Sequence, residues 1–138
     1  MRKIFIHCIC MIVPFIGIII TSSGQTAEEY FNLGITQSNK GNYKAAINNF
    51  NKSIELKPNR AVTYYNRGIA KGSLGDYDGA ILDFSKAIEI HPNAVEAYYN
   101  RGYAKHMLKN EKGACLDWHT AYKLGDSDAY TMISQFCN

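Results

Sequence analysis

The sequence predicts an all-α fold in which three helix-turn-helix repeats stack on one another and a C-terminal helix caps the last repeat. Three observations predict this fold. A segment recurs at an interval of 34 residues. Apolar residues within each copy are spaced by three and four, which makes one face of an amphipathic helix. Glycine or proline stands at most of the places where a helix has to end, and a single hairpin cannot bury its apolar face without stacked neighbours.

The repeat is clearest in the first helix of the second and third units. The run Ala61–Lys71 (AVTYYNRGIAK) returns 34 residues later as Val95–Lys105 (VEAYYNRGYAK), and a more divergent copy begins at Ala27. The second helices recur in the same register. We predict one domain over residues 25–138, with repeats at 27–60, 61–94 and 95–128.

Turn residues divide each unit into two helices. The turns between paired helices fall at Gly41-Asn42, Gly75-Asp76 and Lys109-Asn110. The second helices of the first two units end at Pro58 and Pro92. Each first helix also carries a glycine, which weakens a helix and therefore needs a packing reason. We expect these glycines to let the facing helix approach closely at its alanine, in the pairs Gly34 with Ala46, Gly68 with Ala80 and Gly102 with Ala114.

These residues resemble the tetratricopeptide-repeat (TPR) family, whose pattern has an aromatic residue at position 4, Leu-Gly at 7 and 8, Tyr at 11, Ala at 20 and Phe at 24. Counted from the first residue of each unit, this chain has tyrosine at position 4, glycine at 8, alanine at 20 and an aromatic ring at 24 in all three units. The resemblance implies an α-α superhelix that binds other proteins. Departures from the pattern occur at positions 7 and 11, at Arg67, Arg101, Gln37, Lys71 and Lys105.

The resemblance also implies a concave groove lined by the first helix of each repeat. Its candidate residues are Phe31, Tyr65 and Tyr99 at position 5, Asn32, Asn66 and Asn100 at position 6, and Ile35, Ile69 and Tyr103 at position 9. Asparagine can donate to and accept from a peptide backbone, and aromatic rings supply rigid anchoring area, so the groove suits an extended peptide or a helix. A second interpretation stays open, in which the asparagines bond neighbouring repeats and the tyrosines pack between them.

One ligand of the family can be compared with the sequence directly. TPR domains that hold the acidic C-termini of heat-shock chaperones use a clamp of lysine, asparagine and arginine side chains. The corresponding positions in this chain are Phe31, Ile35, Asn66, Glu96 and Asn100. Only Asn66 matches the clamp, and the carboxylate of Glu96 would repel an acidic ligand. The sequence therefore predicts a different ligand.

The N-terminus has the layout of a secretory signal peptide. Arg2 and Lys3 precede the uncharged segment Ile4–Ile20, and small polar residues follow up to Gly24. We predict a signal peptide over residues 1–24, cleaved before Gln25, and export to the periplasm or the medium. The alternative is an uncleaved N-terminal membrane anchor with the domain facing outward. The whole chain has 15 lysines and arginines against 12 acidic residues. Without the first two basic residues the domain is nearly neutral, so the charge predicts no nucleic-acid partner.

The C-terminal segment predicts a capping helix at about residues 127–136. Cys115 and Cys137 lie at similar distances from the turn that precedes this helix, so an antiparallel pairing brings them level. An exported compartment favours oxidation, and we predict a disulfide between them. The alternatives are two free thiols, or a metal site in which His119 joins the cysteines.

No set of residues in the chain combines a nucleophile, a base and an orienting group. The sequence has no glycine-rich phosphate loop, and Asp83 and Asp117 stand at equivalent repeat positions, which indicates a shared structural role. We therefore predict no enzymatic activity, no catalytic residue, no cofactor and no metal. The expected partner is a protein or peptide, and the expected state is a monomer. The alternative function is a self-assembling or membrane-tethered structural subunit without a peptide ligand.

Overall fold

The structure is a computed structural model that describes residues 24–137. This part of the chain contains seven helices and no strand, so the predicted all-α fold class is confirmed. The helices are α1 Ala27–Asn39, α2 Tyr43–Leu56, α3 Ala61–Ser73, α4 Tyr77–Ile90, α5 Val95–Met107, α6 Glu111–Lys123 and α7 Ala129–Phe136. The predicted signal peptide lies outside the described residues except for Gly24. Among the residues described, no helix has the length and apolar character needed to cross a membrane.

Three hairpins, α1 with α2, α3 with α4 and α5 with α6, stack in chain order. The second helix of each hairpin packs on the first helix of the next, and α7 packs on α6. The first helices of successive repeats also touch one another, more closely than the second helices do. The stack therefore curves toward α1, α3 and α5, and these helices line its concave face.

Short polar caps and left-handed turns set the hairpins. Thr26 begins α1 with a reciprocal capping box, in which its hydroxyl accepts from the backbone N–H of Glu29 and the carboxylate of Glu29 accepts from the N–H of Thr26. The three turns between paired helices each contain a residue with positive φ. Gly41 and Gly75 adopt 76° and 81°, and the third turn places Lys109 at 64°. Glycine enters this region without a steric cost, whereas Lys109 adopts it against the preference of its side chain.

The repeat glycines let the facing helix approach closely, as expected, but the nearest group is the aromatic ring at position 24 and not the alanine at position 20. An added Cβ on Gly68 would lie 2.8 Å from Cε1 of Phe84, and one on Gly34 would overlap the ring of Phe50. Gly102 faces Trp118 in the same way, at 2.7 Å from its Nε1. Each glycine thus makes room for the aromatic ring at position 24, because a ring fills more of the space between the helices than an alanine does. At Gly102 the expected alanine is also among the nearest groups, because the added Cβ would lie 3.1 Å from the carbonyl oxygen of Ala114.

These aromatic rings are the centres of three core clusters, one for each repeat. Phe50 and Trp118 have no exposed surface, and Phe84 is buried to the same degree within a few per cent. The indole Nε1 of Trp118 donates to the backbone carbonyl of Tyr99 at 3.2 Å, so the one polar atom of this buried ring is satisfied.

Helix α7 covers the open end of the third repeat. Ala129 is fully buried against Trp118, and Phe136 packs 4.4 Å from the ring of His106, measured between centroids. His106 is therefore half-buried under the cap. Cys137 follows α7 directly and lies against Cys115 on α6, with the two Cα atoms 5.6 Å apart.

Candidate functional site

The concave face carries two neighbouring cavities between α3 and α5, which we call the upper and the lower cavity. The upper cavity has a volume of about 380 Å³, and its lining includes the predicted groove residues Ile69, Asn100 and Tyr103. The lower cavity has a volume of about 340 Å³, and its lining includes Tyr65 and Glu96. The structure thus brings five side chains of the second and third repeats to one side of the molecule.

A hydrogen bond between two repeats separates the cavities. The amide Nδ2 of Asn100 donates to the hydroxyl oxygen of Tyr65 at 3.2 Å and to the carbonyl of Glu96 at 2.8 Å. Burial, together with the nearby negative charge of Glu96, raises the pKa of the Tyr65 hydroxyl above its usual value. The hydroxyl stays protonated at neutral pH, and it can donate its own proton to a bound acceptor.

The aromatic row at position 5 is shared between the core and the groove. Phe31 packs on Phe50 at 6.0 Å between ring centroids, and Tyr65 packs on Phe84 at 5.8 Å. Tyr99 packs on the cluster around Trp118. All three rings are only half-buried, so each one stabilises its own repeat and leaves part of its surface toward the concave side.

The asparagines at position 6 differ from one repeat to the next. Asn66 donates to the carbonyl of Val62 on its own helix at 2.7 Å, whereas Asn100 also reaches the neighbouring repeat through Tyr65. Asn32 is exposed beside a shallow depression that α1 forms with the preceding residues. Bonding to a neighbouring repeat therefore describes Asn100 alone. Within residues 24–137 the side-chain oxygens of Asn66 and Asn100 accept no hydrogen bond, which leaves them available to a peptide N–H.

At the equivalent place of the first repeat, a side chain of this protein lies on the aromatic ring at position 5. The guanidinium carbon of Arg60 lies 4.1 Å from the centre of the Phe31 ring. Its Nη1 also lies 2.7 Å from a carboxylate oxygen of Glu28, as an ion pair that is off the line of a hydrogen bond. The residue equivalent to Arg60 in the next repeat is Ala94, which lines the lower cavity.

Sequence reasoning missed two buried ion clusters on the other side of the first helices. Asp83 is 3% exposed and receives both a bidentate contact from Arg67, at 2.6 and 2.8 Å, and an ion pair from Lys71 at 2.9 Å. The third repeat repeats this arrangement with Arg101, Lys105 and Asp117. The equivalent positions of the two aspartates predicted a shared structural role. That role is to pair with the arginine and the lysine at positions 7 and 11 of the same repeat. The signal in the sequence was the joint departure from the TPR pattern at positions 7 and 11 of the same two repeats.

The comparisons with known proteins agree with this architecture. A family model described as "Tetratricopeptide repeat" matches residues 27–60, and one described as "TPR repeat" matches residues 72–109. The chain carries tetratricopeptide repeats. The first match has the bounds of the first repeat predicted from the sequence. None of the curated proteins matches the chain.

Several solved TPR structures are similar to this one. The TPR domain of Arabidopsis OM64 has 27% identity and a TM-score of 0.77, over 80% of this chain and 93% of that one. The second TPR domain of human RPAP3, in complex with the HSP70 peptide SGPTIEEVD, has 25% identity and a TM-score of 0.77, over 81% of this chain and 95% of that one. MamA has 28% identity and a TM-score of 0.71, over 76% of this chain and 61% of that one.

In chemical terms the groove of this TPR array can hold and orient a chain. It offers aromatic rings, amide oxygens and tyrosine hydroxyl groups. Within residues 24–137 no group of three or more histidine, cysteine or acidic side chains is arranged around a common point where a metal ion could bind.

Proposed function

We propose that this protein is an interaction module that binds a peptide or a segment of another protein in the concave groove between α3 and α5. The observation that carries the proposal is the pair of cavities of about 380 and 340 Å³ on that face, lined by first-helix residues. The similar RPAP3 domain supports it, because that TPR domain was solved in complex with a peptide of nine residues, SGPTIEEVD.

The chemistry of the groove supports an anchored extended segment. Tyr103 is 44% exposed at the upper cavity, next to the half-buried Ile69, and offers a large apolar contact. The amide oxygens of Asn66 and Asn100 supply acceptors for the backbone of the guest. Main-chain bonds of this kind are independent of sequence, so the cavities would select the side chains.

The guest differs from the acidic peptides that the RPAP3 domain binds. Of the five clamp positions, Phe31 lies beneath Arg60, Ile35 packs on the core cluster of the first repeat, and Glu96 brings a carboxylate to the lower cavity. An acidic ligand such as SGPTIEEVD would meet repulsion at Glu96 and no cation at Ile35. The cation at Phe31, the guanidinium of Arg60, is already paired with Glu28.

Selection of binding peptides from a random displayed library on the purified protein tests the function directly. We expect selected peptides to bind with an affinity that Tyr103→Ala lowers at least tenfold, because the substitution removes the exposed ring of the upper cavity. Tyr130→Ala is the matched control, since Tyr130 is 60% exposed on α7, outside the groove. The triple variant Asn32→Ala, Asn66→Ala, Asn100→Ala tests the amides. Peptides that bind both tyrosine variants equally well would remove the groove from the proposal.

We also propose that the protein acts outside the cytoplasm with Cys115 and Cys137 oxidised. The layout of residues 2–24 supports export, and the short distance between the two Cα atoms, 5.6 Å, suits a disulfide. Intact mass of the protein recovered from the producing cells, without reductant, should correspond to a chain that begins at Gln25 and lacks two hydrogens. Labelling of both cysteines by a thiol reagent would contradict the disulfide. A chain that keeps residues 1–24 would contradict cleavage of the signal peptide.

Assembly through the convex face is the second candidate. Leu82 and Leu116 stand at equivalent positions of α4 and α6 and are 71% and 68% exposed. Two large apolar side chains one repeat apart could join copies of the chain. Light scattering across a range of concentrations separates the candidates, since the interaction module is expected to stay monomeric. An oligomer that Leu82→Lys with Leu116→Lys dissolves would favour assembly.

A further inference from the structure

The two junctions between repeats share an aromatic ring at position 5 of the earlier repeat, and at the first junction an arginine of this chain lies on that ring. At the first junction, between α1 and α3, Arg60 lies on the ring of Phe31 at 4.1 Å and pairs with Glu28 at 2.7 Å. The arginine side chain is 21% exposed and the glutamate is 61% exposed. The guanidinium is thus enclosed between an aromatic face and a carboxylate at the edge of the groove.

The second junction, between α3 and α5, has an aromatic ring and a carboxylate without the arginine. Tyr65 replaces Phe31, and Ala94 stands where Arg60 stands in the first junction. The carboxylate comes from the other helix, because Val62 stands where Glu28 stands and Glu96 of the following repeat lines the cavity. Tyr65 and Glu96 both line the lower cavity, so one ligand in it can contact both side chains. Within residues 24–137 no basic side chain pairs with Glu96.

The walls of the lower cavity match the rest of an arginine side chain. Small apolar side chains line it, namely Ala61, Val62, Ala87, Ala94 and Ala97. Arginine buries its aliphatic stem along such surfaces while its planar head stacks on an aromatic ring and bonds a carboxylate. His91 and Asn93 complete the lining and keep part of it polar.

We propose that the lower cavity binds an arginine side chain of the partner, whose guanidinium stacks on Tyr65 and pairs with Glu96. The first junction supplies the template, because there the chain's own Arg60 occupies the equivalent place. This assignment rests on the proposed function of the groove and gives it a specificity: the guest carries an arginine at the point where it crosses the second junction. A lysine fits less well, because its ammonium is a point charge that cannot stack as a plane.

A set of blocked pentapeptides provides the probe. The peptides are acetyl-Ala-Ala-X-Ala-Ala-amide with arginine, citrulline, lysine or glutamate at X, and citrulline keeps the shape of arginine without its charge. Each peptide is titrated into the isotopically labelled protein, and the backbone amide resonances of Ala94, Glu96 and Ala97 are followed. We expect the arginine peptide to shift these resonances with an affinity about tenfold higher than that of the citrulline peptide, since charge contributes both to stacking and to pairing. Equal shifts by the arginine, citrulline and glutamate peptides would overturn the assignment.

Variants that exchange the two junctions make the test sharper. Ala94→Arg copies Arg60 into the second junction, and the new side chain should fill the cavity and abolish binding of the arginine peptide. Arg60 already stands directly before α3 at the same repeat position, so the backbone accepts this residue there. Conversely, Arg60→Ala should create a second binding site at Phe31. Glu96→Gln should weaken the arginine peptide about fivefold, whereas Glu28→Gln is the control that leaves it unchanged.

The outcomes separate this inference from the function on which it rests. Library-selected peptides that require Tyr103 but carry no arginine at a fixed position, and that bind Ala94→Arg normally, would overturn the arginine site and leave the groove function standing. If no library peptide binds, the groove function fails, and the pentapeptide titration still decides whether the lower cavity takes a guanidinium.

Discussion

The first repeat and the two that follow it share a backbone plan but are held by different interactions. At positions 7, 11 and 23 the first repeat has Leu33, Gln37 and Asn49. The second and third repeats have arginine, lysine and aspartate there, and these three side chains form one buried cluster in each repeat. The three positions are separate in the sequence, but in the fold their side chains contact one another. A repeat of this chain therefore has either all three charged residues or none of them.

The reason for the difference lies in the neighbour on the N-terminal side. Arg67 also donates from Nη1 to the side-chain oxygen of Asn51 in the preceding repeat at 2.7 Å, and Arg101 donates to the hydroxyl of Ser85 at 3.0 Å. Each cluster thus joins its own two helices to the repeat before it. Within the part of the chain that the structure describes, no repeat precedes the first one, and there Asn49 bonds only the carbonyl of Ala45 on its own helix.

The largest effect is expected when one cluster is broken. Arg67→Leu leaves Asp83 buried with only Lys71, and loss of one partner of a buried ion pair costs about 3–5 kcal/mol. We expect urea denaturation to report a fall of this size in the free energy of unfolding. Arg60→Leu is the matched control, and because its partner Glu28 is exposed it should cost about 1 kcal/mol or less.

Conversion of the second repeat to the pattern of the first sharpens the same comparison. The triple variant Arg67→Leu, Lys71→Gln, Asp83→Asn copies positions 7, 11 and 23 of the first repeat. It leaves no buried charge, so most of the stability lost in Arg67→Leu should return, to within about 1 kcal/mol of the original protein. A triple variant as unstable as Arg67→Leu alone would show that the contact with Asn51, and not the charge of Asp83, is what the arginine supplies.

A glycine substitution tests what all three repeats have in common. Gly68→Ala brings a methyl group within 2.8 Å of the Phe84 ring and should destabilise the protein by about 1–3 kcal/mol, as overpacking of a core does. Gly72→Ala, on the same helix, meets nothing closer than 3.8 Å and should stabilise it by about 0.5–1 kcal/mol through helix propensity. Thermal unfolding should shift in opposite directions for the two variants; a shift in the same direction would contradict the ring as the packing partner.

The smallest expected effect is a pH dependence of stability, which Tyr65 at position 5 of the second repeat contributes and Phe31 at position 5 of the first repeat does not. Phe31 does not titrate, whereas burial raises the pKa of Tyr65 above 10.0 in the folded protein. The folded state therefore holds this proton more tightly than the unfolded state does. The stability from Tyr65 is complete below pH 10 and decreases as the pH rises through the folded pKa. Burial also raises the pKa of Tyr99. Absorbance of tyrosinate should therefore show late-titrating tyrosines that include Tyr65 and Tyr99, and Tyr65→Phe should remove one of them. Tyr65 should still titrate late in Tyr103→Phe, which changes an exposed ring.

Much of the fold could be predicted from the sequence because the same pattern of helix and turn residues occurs three times. A helix face that begins at Ala27 and returns at Ala61 and Val95 fixes the register of every helix pair. The groove positions followed from the resemblance to TPR proteins, and the structure brings Tyr65 and Asn100 together across two of the repeats. Which residues meet across a groove depends on how far the stack curves, and spacing alone does not determine that.

The ion clusters and the lower cavity could not be predicted for two physical reasons. Arg67 and Asp83 lie on facing helices, 16 residues apart, so that their pairing needs the hairpin geometry. Ala94 and Arg60 stand at the last position of their repeats, which the TPR pattern leaves unspecified. Whether a small residue there leaves a cavity depends on how the neighbouring helices pack, and the sequence pattern does not contain that information. The group nearest to each repeat glycine could not be predicted for a related reason, because the pattern lists an alanine and a ring as neighbours without giving their directions.

The arginine contacts to the preceding repeat give the array a direction. Each one fastens a later unit to an earlier one, and α7 covers the far end of the stack, so we expect α1 and α2 to be the most loosely held pair among the described helices. Backbone amides of that pair should exchange with deuterium sooner than those of α5 and α6, and the stack should fray from its beginning. Fraying there would release Arg60 from Phe31 while the second junction stays intact.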